Sequence, residues 1–174
     1  DFSRFKPILE KIKKDKDFDE ILIVTGIHLL KNYGHSINEI KKTGFKITKK
    51  FKMYSNVSIK NDDGASMVSA FGIAVTKLSK ILKKNKPDIV LSGFDIAANF
   101  AVTIAAAHMN IPVAHIQGGE VSGTIDESIR HAMSKFSHYH FVSNTDAFKR
   151  LIKMGEEKSK VFIVGCPSIE ALFS

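Results

Sequence analysis

The stretch His115-Ile116-Gln117-Gly118-Gly119-Glu120-Val121-Ser122-Gly123-Thr124-Ile125-Asp126-Glu127-Ser128-Ile129-Arg130-His131 leaves a short apolar run, crosses three glycines and enters a segment with helical spacing. That order predicts a strand, a tight turn and a helix start. The run Val113 to Ile116 is too short for a buried helix and is bounded by polar or glycine residues. Gly118, Gly119 and Gly123 relieve the backbone where it turns sharply or must lie against a ligand. A helix opening near Thr124 offers unpaired N–H groups and a positive dipole end, suited to an anion or the polar edge of a sugar.

The same unit recurs on both sides. Strands are predicted at Ile21 to Thr25, Asp88 to Leu91, Tyr139 to Ser143 and Val161 to Val164. Pro7 is placed in the opening turn of a helix running to about Lys14, where a missing N–H costs nothing. Met67, Phe71, Ala74, Val75, Leu78, Ile81 and Leu82 form the apolar stripe of a long helix ending before Pro87. Ala97 to about Met109 reads as a nearly fully buried helix, and Thr124 to Phe136 and Asp146 to Met154 as two more. Alternating strands and helices force right-handed crossovers, an α/β fold with a mostly parallel sheet in a Rossmann-like αβα sandwich. Ligands then meet the carboxyl ends of the strands, after Thr25, Leu91, Ile116 and Ser143. Because residues 1–174 open on a helix, a leading strand of the natural protein is expected to be missing. Residues 44–63 are expected to hold an edge strand and a mobile loop.

At 174 residues, 44% hydrophobic and 25% charged, the chain fits one soluble domain rather than a disordered segment. No uninterrupted apolar run approaches the roughly 20 residues of a membrane span, and no leader pattern stands at the start. No membrane partner is expected. The single Cys166 rules out an internal disulfide and a multi-cysteine metal site, and favours the cytoplasm. Of the 26 basic residues, 19 lie in residues 1–86 with 9 of the 18 acidic ones, a local net of +10 (19 minus 9). Many are lysines near predicted helix ends, such as Lys13, Lys14, Lys41, Lys42, Lys83 and Lys84, where they complement the dipole. A solvated face is the plain reading, beside a polyanion surface or steering of an anionic small substrate. No nucleic-acid fingerprint is present, and no nucleic-acid partner is expected.

Asp126 and Arg130 are four apart on one helix face and are expected to pair toward the turn, ahead of the neighbouring Glu127 and His131. Asp95, after Ser92-Gly93-Phe94, either caps the helix near Ala97 or shares a cleft with Asp126, where proximity and burial tune carboxylates for proton transfer. His28, after Thr25-Gly26-Ile27, and His115 are ligand candidates or satisfied structural residues. No zinc spacing, GxGxxG, P-loop or GxSxG occurs.

The segment HIQGGEVSGTIDESIRHAMSKFSHYHFVSN at 115–144 resembles the hydrolysing UDP-N-acetylglucosamine 2-epimerases of sialic acid and related nonulosonic acid biosynthesis. KPDIV, HMNIPVAHI and VFIVGCPS support the resemblance, with weaker likeness in DFSRFKPILEKI and TGIHLLKNYG. It implies the amino-terminal half of a glycosyltransferase-B-like fold, lacking its first strand and second domain, and therefore inactive alone. The implied full-length parent, a homo-oligomer, would take a UDP-sugar and need no cofactor or metal. It would eliminate UDP across C1 and C2 and add water to the resulting 2-acetamidoglucal, releasing UDP and the 2-epimeric sugar. The sugar would be N-acetylglucosamine or a diacetamido analogue, its C4 and C6 substituents read partly by residues 54–64.

Asp95 matches the aspartate of the family's GDR motif, and Asp126 with Arg130 match its DxSxR helix. Glu120 and Gln117 complete the implied catalytic group. Arg130, His28, Gly118, Gly119, Ser122, Gly123, Ser143 and Asn144 are the implied substrate-binding set. Two departures stand out. GDR reads Phe94-Asp95-Ile96, and the glutamate of HxEGG is Gln117, which can hydrogen-bond but cannot exchange a proton as a carboxylate does. An impaired homologue that binds nucleotide sugar or a partner subunit is the alternative.

Overall fold

A computed structural model describes residues 2–54, 64–94 and 96–169. Its helices are α1 (Phe2–Lys14), α2 (Ile37–Lys42), α3 (Gly64–Asn85), α4 (Ala97–His108), α5 (Ile125–Lys135) and α6 (Thr145–Lys153). Its strands are β1 (Leu22–Val24), β2 (Ile47–Lys50), β3 (Val90–Gly93), β4 (Val113–Ile116), β5 (Tyr139–Val142) and β6 (Val161–Ile163). Every pairing is parallel, in a β1–β2 pair and a sheet ordered β3–β4–β5–β6. No pairing joins the two sheets among the described residues.

The expected strands are all present, and β4 has the bounds read from the sequence. The edge strand expected within residues 44–63 is β2; the loop expected there lies largely at 55–63, outside the described residues. Pro7 departs from expectation. It lies in the second turn of α1, because the helix begins at Phe2, so its ring removes the N–H that Ser3 would have accepted. α3 has the length and mean hydropathy of a membrane span, although Lys77, Lys80 and scattered Ser and Thr interrupt its apolar run. It nonetheless packs Ala70, Ala74, Leu78 and Leu82 into the core.

The main core joins that face of α3 to Ala101, Ala105 and Ala106 of α4, Val90 of β3 and Val113 of β4. Small side chains let the two helices approach closely, and Phe71 stacks on Phe100 with ring centroids 5.1 Å apart. Ser92, fully buried in β3, meets Thr103 of α4 at 2.7 Å and so satisfies both hydroxyls. All four residues of β4 are buried, as befits an interior strand. The register Gly93↔Ile116↔Phe141↔Phe162 then sets the carboxyl ends of β3 to β6 side by side.

Candidate active site

The glycine turn leaves β4 along that edge, and packing dictates its composition. A Cβ on Gly118 would lie 2.8 Å from His115 Nδ1 and 2.9 Å from Ser134 Oγ; one on Gly119 would lie 2.6 Å from the Ala147 carbonyl oxygen. Only glycine fits either place. His115 is fully buried with Nδ1 3.1 Å from Ser134 Oγ, which makes it the floor of the turn. Burial, helped by the positive charges of His140, Arg130 and His131, depresses its pKa to about 3, so the ring is neutral. From α6, Arg150 donates to the Gly119 carbonyl.

Gln117 and Phe94, on adjacent strand ends, both adopt left-handed backbone, at φ 58° and 61°. Lys86 and Asn110 do so too, but they follow the ends of α3 and α4, where such geometry closes a helix. At the sheet edge it serves no cap. Each such residue costs of the order of 1–3 kcal/mol, and strain of this kind clusters at functional sites. The Gln117 amide N–H extends the ladder to the Phe141 carbonyl at 2.8 Å, and its Nε2 donates to Cys166 Sγ at 3.0 Å.

Beyond the glycines, the Ser143 hydroxyl donates to Glu120 Oε1 at 2.5 Å, and Arg130 Nη1 donates to the Glu120 carbonyl at 2.9 Å. Arg130 is buried and also lies 3.5 Å from Ser122 Oγ. Asn144 caps α6, its Oδ1 accepting from Ala147 N at 2.9 Å, and its Nδ2 donates to Ser143 Oγ at 3.1 Å. Gln117, Gly118, Gly119, Glu120, Ser122, Arg130, Ser143 and Asn144 are thus drawn into one constellation.

Three expectations fare differently. The Asp126–Arg130 pair does not form among the described contacts. Asp126 is exposed in the first turn of α5 and accepts from Thr124 Oγ1 at 3.2 Å, while Arg130 turns inward to the loop carbonyl. Glu127 instead turns back on the loop: one oxygen accepts from Ser122 N at 2.7 Å and Gly123 N at 2.8 Å, and the other lies 3.8 Å from His131 Nε2. Those backbone bonds hold its carboxyl below the usual range. His28 follows β1 in the other sheet, its Nδ1 2.8 Å from Ser36 Oγ, and none of its described contacts reaches the glycine turn. Asp95 lies outside the described residues, and the N-cap of α4 is Ile96, with no side-chain cap.

From the sequence alone, Glu127 ranks behind Asp126, and Cys166 and Arg150 have no place in the site. The spacing Thr124-x-x-Glu127 is that of a capping box and could have flagged the first; nothing local points to the others. Among the described residues, no cluster of three His, Cys, Asp or Glu side chains could hold a metal. A cavity of ≈ 280 Å³ lined by Leu29, His35, Lys41, Lys50, Phe51 and neighbours opens beside β2 and includes no residue of the glycine turn. Strain, crowding and converging polar groups, not concavity, locate the site.

Residues 10–174 match the family described as UDP-N-acetylglucosamine 2-epimerase. The chain is 39% identical over 172 residues, 99% of its length, to "UDP-N,N'-diacetylbacillosamine 2-epimerase (hydrolyzing)" of Legionella pneumophila, and covers 45% of that protein. It is 36% identical over 174 residues to a "UDP-N-acetylglucosamine 2-epimerase" of Neisseria meningitidis, of which it covers 44%. The chain therefore spans a little under half the length of these relatives. In fold it matches the crystal structure of the UDP-GlcNAc 2-epimerase from Neisseria meningitidis bound to UDP-GlcNAc, with a TM-score of 0.85 and 22% identity over 98% of this chain and 44% of the other. The Methanocaldococcus jannaschii UDP-GlcNAc 2-epimerase in complex with UDP-GlcNAc and UDP matches at a TM-score of 0.81 and 23% identity, over 98% of this chain and 45% of that one. The parallel αβα layer corresponds to the amino-terminal half of these glycosyltransferase-B-like structures.

Proposed function

The chain belongs to the UDP-N-acetylglucosamine 2-epimerase family, and from that premise we propose that its full-length parent catalyses hydrolysing 2-epimerisation of a UDP-linked 2-acetamido sugar. The substrate class is the feature common to the names of the two relatives. A first strand between β1 and β3, and a second domain, complete the parent. The unjoined sheets and the coverage of relatives support both additions.

A base removes the C2 proton, the C2–H electrons form the C1=C2 bond, and the C1–O bond breaks with its electrons leaving on UDP. Water then adds its hydroxyl to C1, and C2 is reprotonated on the opposite face. UDP and the free 2-epimer result. Asp126, exposed in the first turn of α5, is the described carboxylate best placed to exchange protons; Asp95 is assigned the partner role from its match to the GDR aspartate. Glu120, bonded to Ser143, orients the sugar, and Arg130 fixes the loop on which Glu120 and Ser122 stand.

The observation that carries this reading is the gathering of Gln117, Glu120, Arg130 and Ser143 on one strained sheet edge. The test incubates the full-length protein with UDP-N-acetylglucosamine in deuterated water. Free UDP with C2-deuterated N-acetylmannosamine is expected, and saturable binding without either product would refute turnover. A second reading, a homologue that binds the nucleotide sugar without turning it over, is favoured by one observation. Gln117 presents an amide, engaged with Cys166, where the family pattern has a carboxylate.

A further inference from the structure

We propose that Glu127 is a positioning residue whose carboxylate fixes the exposed segment Val121 to Thr124, and so sets Ser122 and Asp126 for the sugar nucleotide. The clamp stands on geometry, while its catalytic consequence rests on the epimerase reading above. In a capping box the carboxylate at the third helical position bonds the N–H of the cap residue. Here the cap is Thr124, yet the carboxylate reaches past it and gathers the N–H groups of Ser122 and Gly123 on a single oxygen.

That reach matters because, among the described contacts, only Glu127 bonds the backbone N–H groups of Ser122 and Gly123. Gly118 and Gly119 are confined by atoms within 3 Å of where a Cβ would be, whereas Gly123, at φ +70°, has nothing within 4 Å. Residues 121 to 126 are all exposed, so burial supplies no restraint. The remaining ties are the Thr124 cap, the contacts of Arg130 and the two bonds to Glu127. Bonds to an ionised carboxylate are shorter and roughly twice as strong as neutral ones, which makes Glu127 the dominant restraint on Ser122 and Gly123. Asp126 leads directly out of this segment. A displacement of about 1 Å at a reacting group can cost about a hundredfold in rate.

The test uses the full-length protein with Glu127→Ala and Glu127→Gln. Glu127→Ala is expected to speed amide hydrogen exchange at Ser122 and Gly123 at least about tenfold. It is expected to lower kcat for UDP-N-acetylglucosamine about tenfold or more while KM moves less than about threefold and the unfolding midpoint holds. Glu127→Gln, which keeps an acceptor oxygen, restores most of kcat. Glu157→Gln removes another exposed carboxylate, one bonded to Ser159 and paired with Lys160, and leaves both readouts unchanged. Unchanged exchange in Glu127→Ala overturns the clamp. Faster exchange with unchanged kcat, or a kcat that falls only as the midpoint falls, overturns the positioning role. Absence of turnover in the unsubstituted protein defeats the epimerase reading instead; the exchange rates still decide the clamp, and UDP-N-acetylglucosamine affinity replaces kcat. If Glu127→Ala fails to fold, Glu127→Ser, whose side chain is too short to reach either N–H, replaces it with the same expected and overturning results.

Discussion

The turn after β1, Gly26-Ile27-His28, and the turn after β4, Gln117-Gly118-Gly119-Glu120, both leave the carboxyl end of a parallel strand through glycine and a potential ligand. They differ in what surrounds them. A Cβ on Gly26 would meet only Met53 Sδ, at an ordinary 3.9 Å, and β1 is mostly half-buried. The β4 turn is pressed between α5 and α6, carries a left-handed glutamine and gathers polar groups from two strands and two helices. Glycine after a strand is therefore weak evidence of a site, and glycine that no other residue can replace is stronger evidence. Gly119→Ala adds overpacking to backbone strain and should cost about 4 kcal/mol in urea unfolding, against about 1 kcal/mol for Gly26→Ala, where strain acts alone. Equal losses would erase the distinction.

The histidines of the two regions extend the contrast to pH. Burial lowers the pKa of both, but His115 falls to about 3 while His28 remains half-buried. Between about pH 3 and the ordinary 6.5, the unfolded chain binds a proton at position 115 that the folded chain does not. Its stabilising effect is thus complete above pH 6.5 and is lost as pH falls toward 3. From pH 7.5 to 4.5 this group should contribute a loss on the order of 3 kcal/mol, at about 1.4 kcal/mol per unit. His115→Asn retains a polar group near Nδ1 without titrating, and should flatten the profile. A parallel profile for this variant would remove His115 as the source.

Catalysis separates the regions next. Asp126→Asn, and Asp95→Asn beside it, should each lower turnover of the full-length protein about a hundredfold, the scale of a lost general acid or base, while His28→Gln should leave kcat within about threefold. Near-normal rates in both aspartate variants would remove them from proton transfer.

Much of this architecture is legible because strand period, helix stripe and glycine turn are local. Four buried residues between Pro112 and Gln117 allow little besides an interior strand, and β4 has the expected bounds. What local spacing cannot supply is direction across the fold. Asp126 and Arg130 satisfy the i,i+4 rule, but Asp126 bonds to the Thr124 hydroxyl while the guanidinium finds a carbonyl ten residues upstream. Gln117 meets Cys166 across 49 residues, because β6 delivers that cysteine to the edge where β4 ends. No periodicity encodes such a meeting. Pro7 is a smaller case: the stripe around it is clear, but local spacing leaves helix ends uncertain by a residue or two, and a start at Phe2 is enough to move the proline from the first turn to the second.

Gln117 supplies the smallest expected effect and the sharpest discrimination at the β4 turn. Gln117→Glu preserves shape and the left-handed backbone cost, so stability should move by less than about 0.5 kcal/mol. The hydrogen bond reverses direction, with the Cys166 thiol donating to a carboxylate where it now accepts from an amide. A carboxylate at the end of β4, one strand from the end of β3, restores the family pattern and supplies a further proton carrier at that sheet edge. If the present glutamine is a lesion, C2 deuterium incorporation should rise about tenfold. A fall in that rate, with UDP-sugar affinity unchanged, would instead mean that this protein has moved proton exchange to other groups and that the amide now orients the sugar.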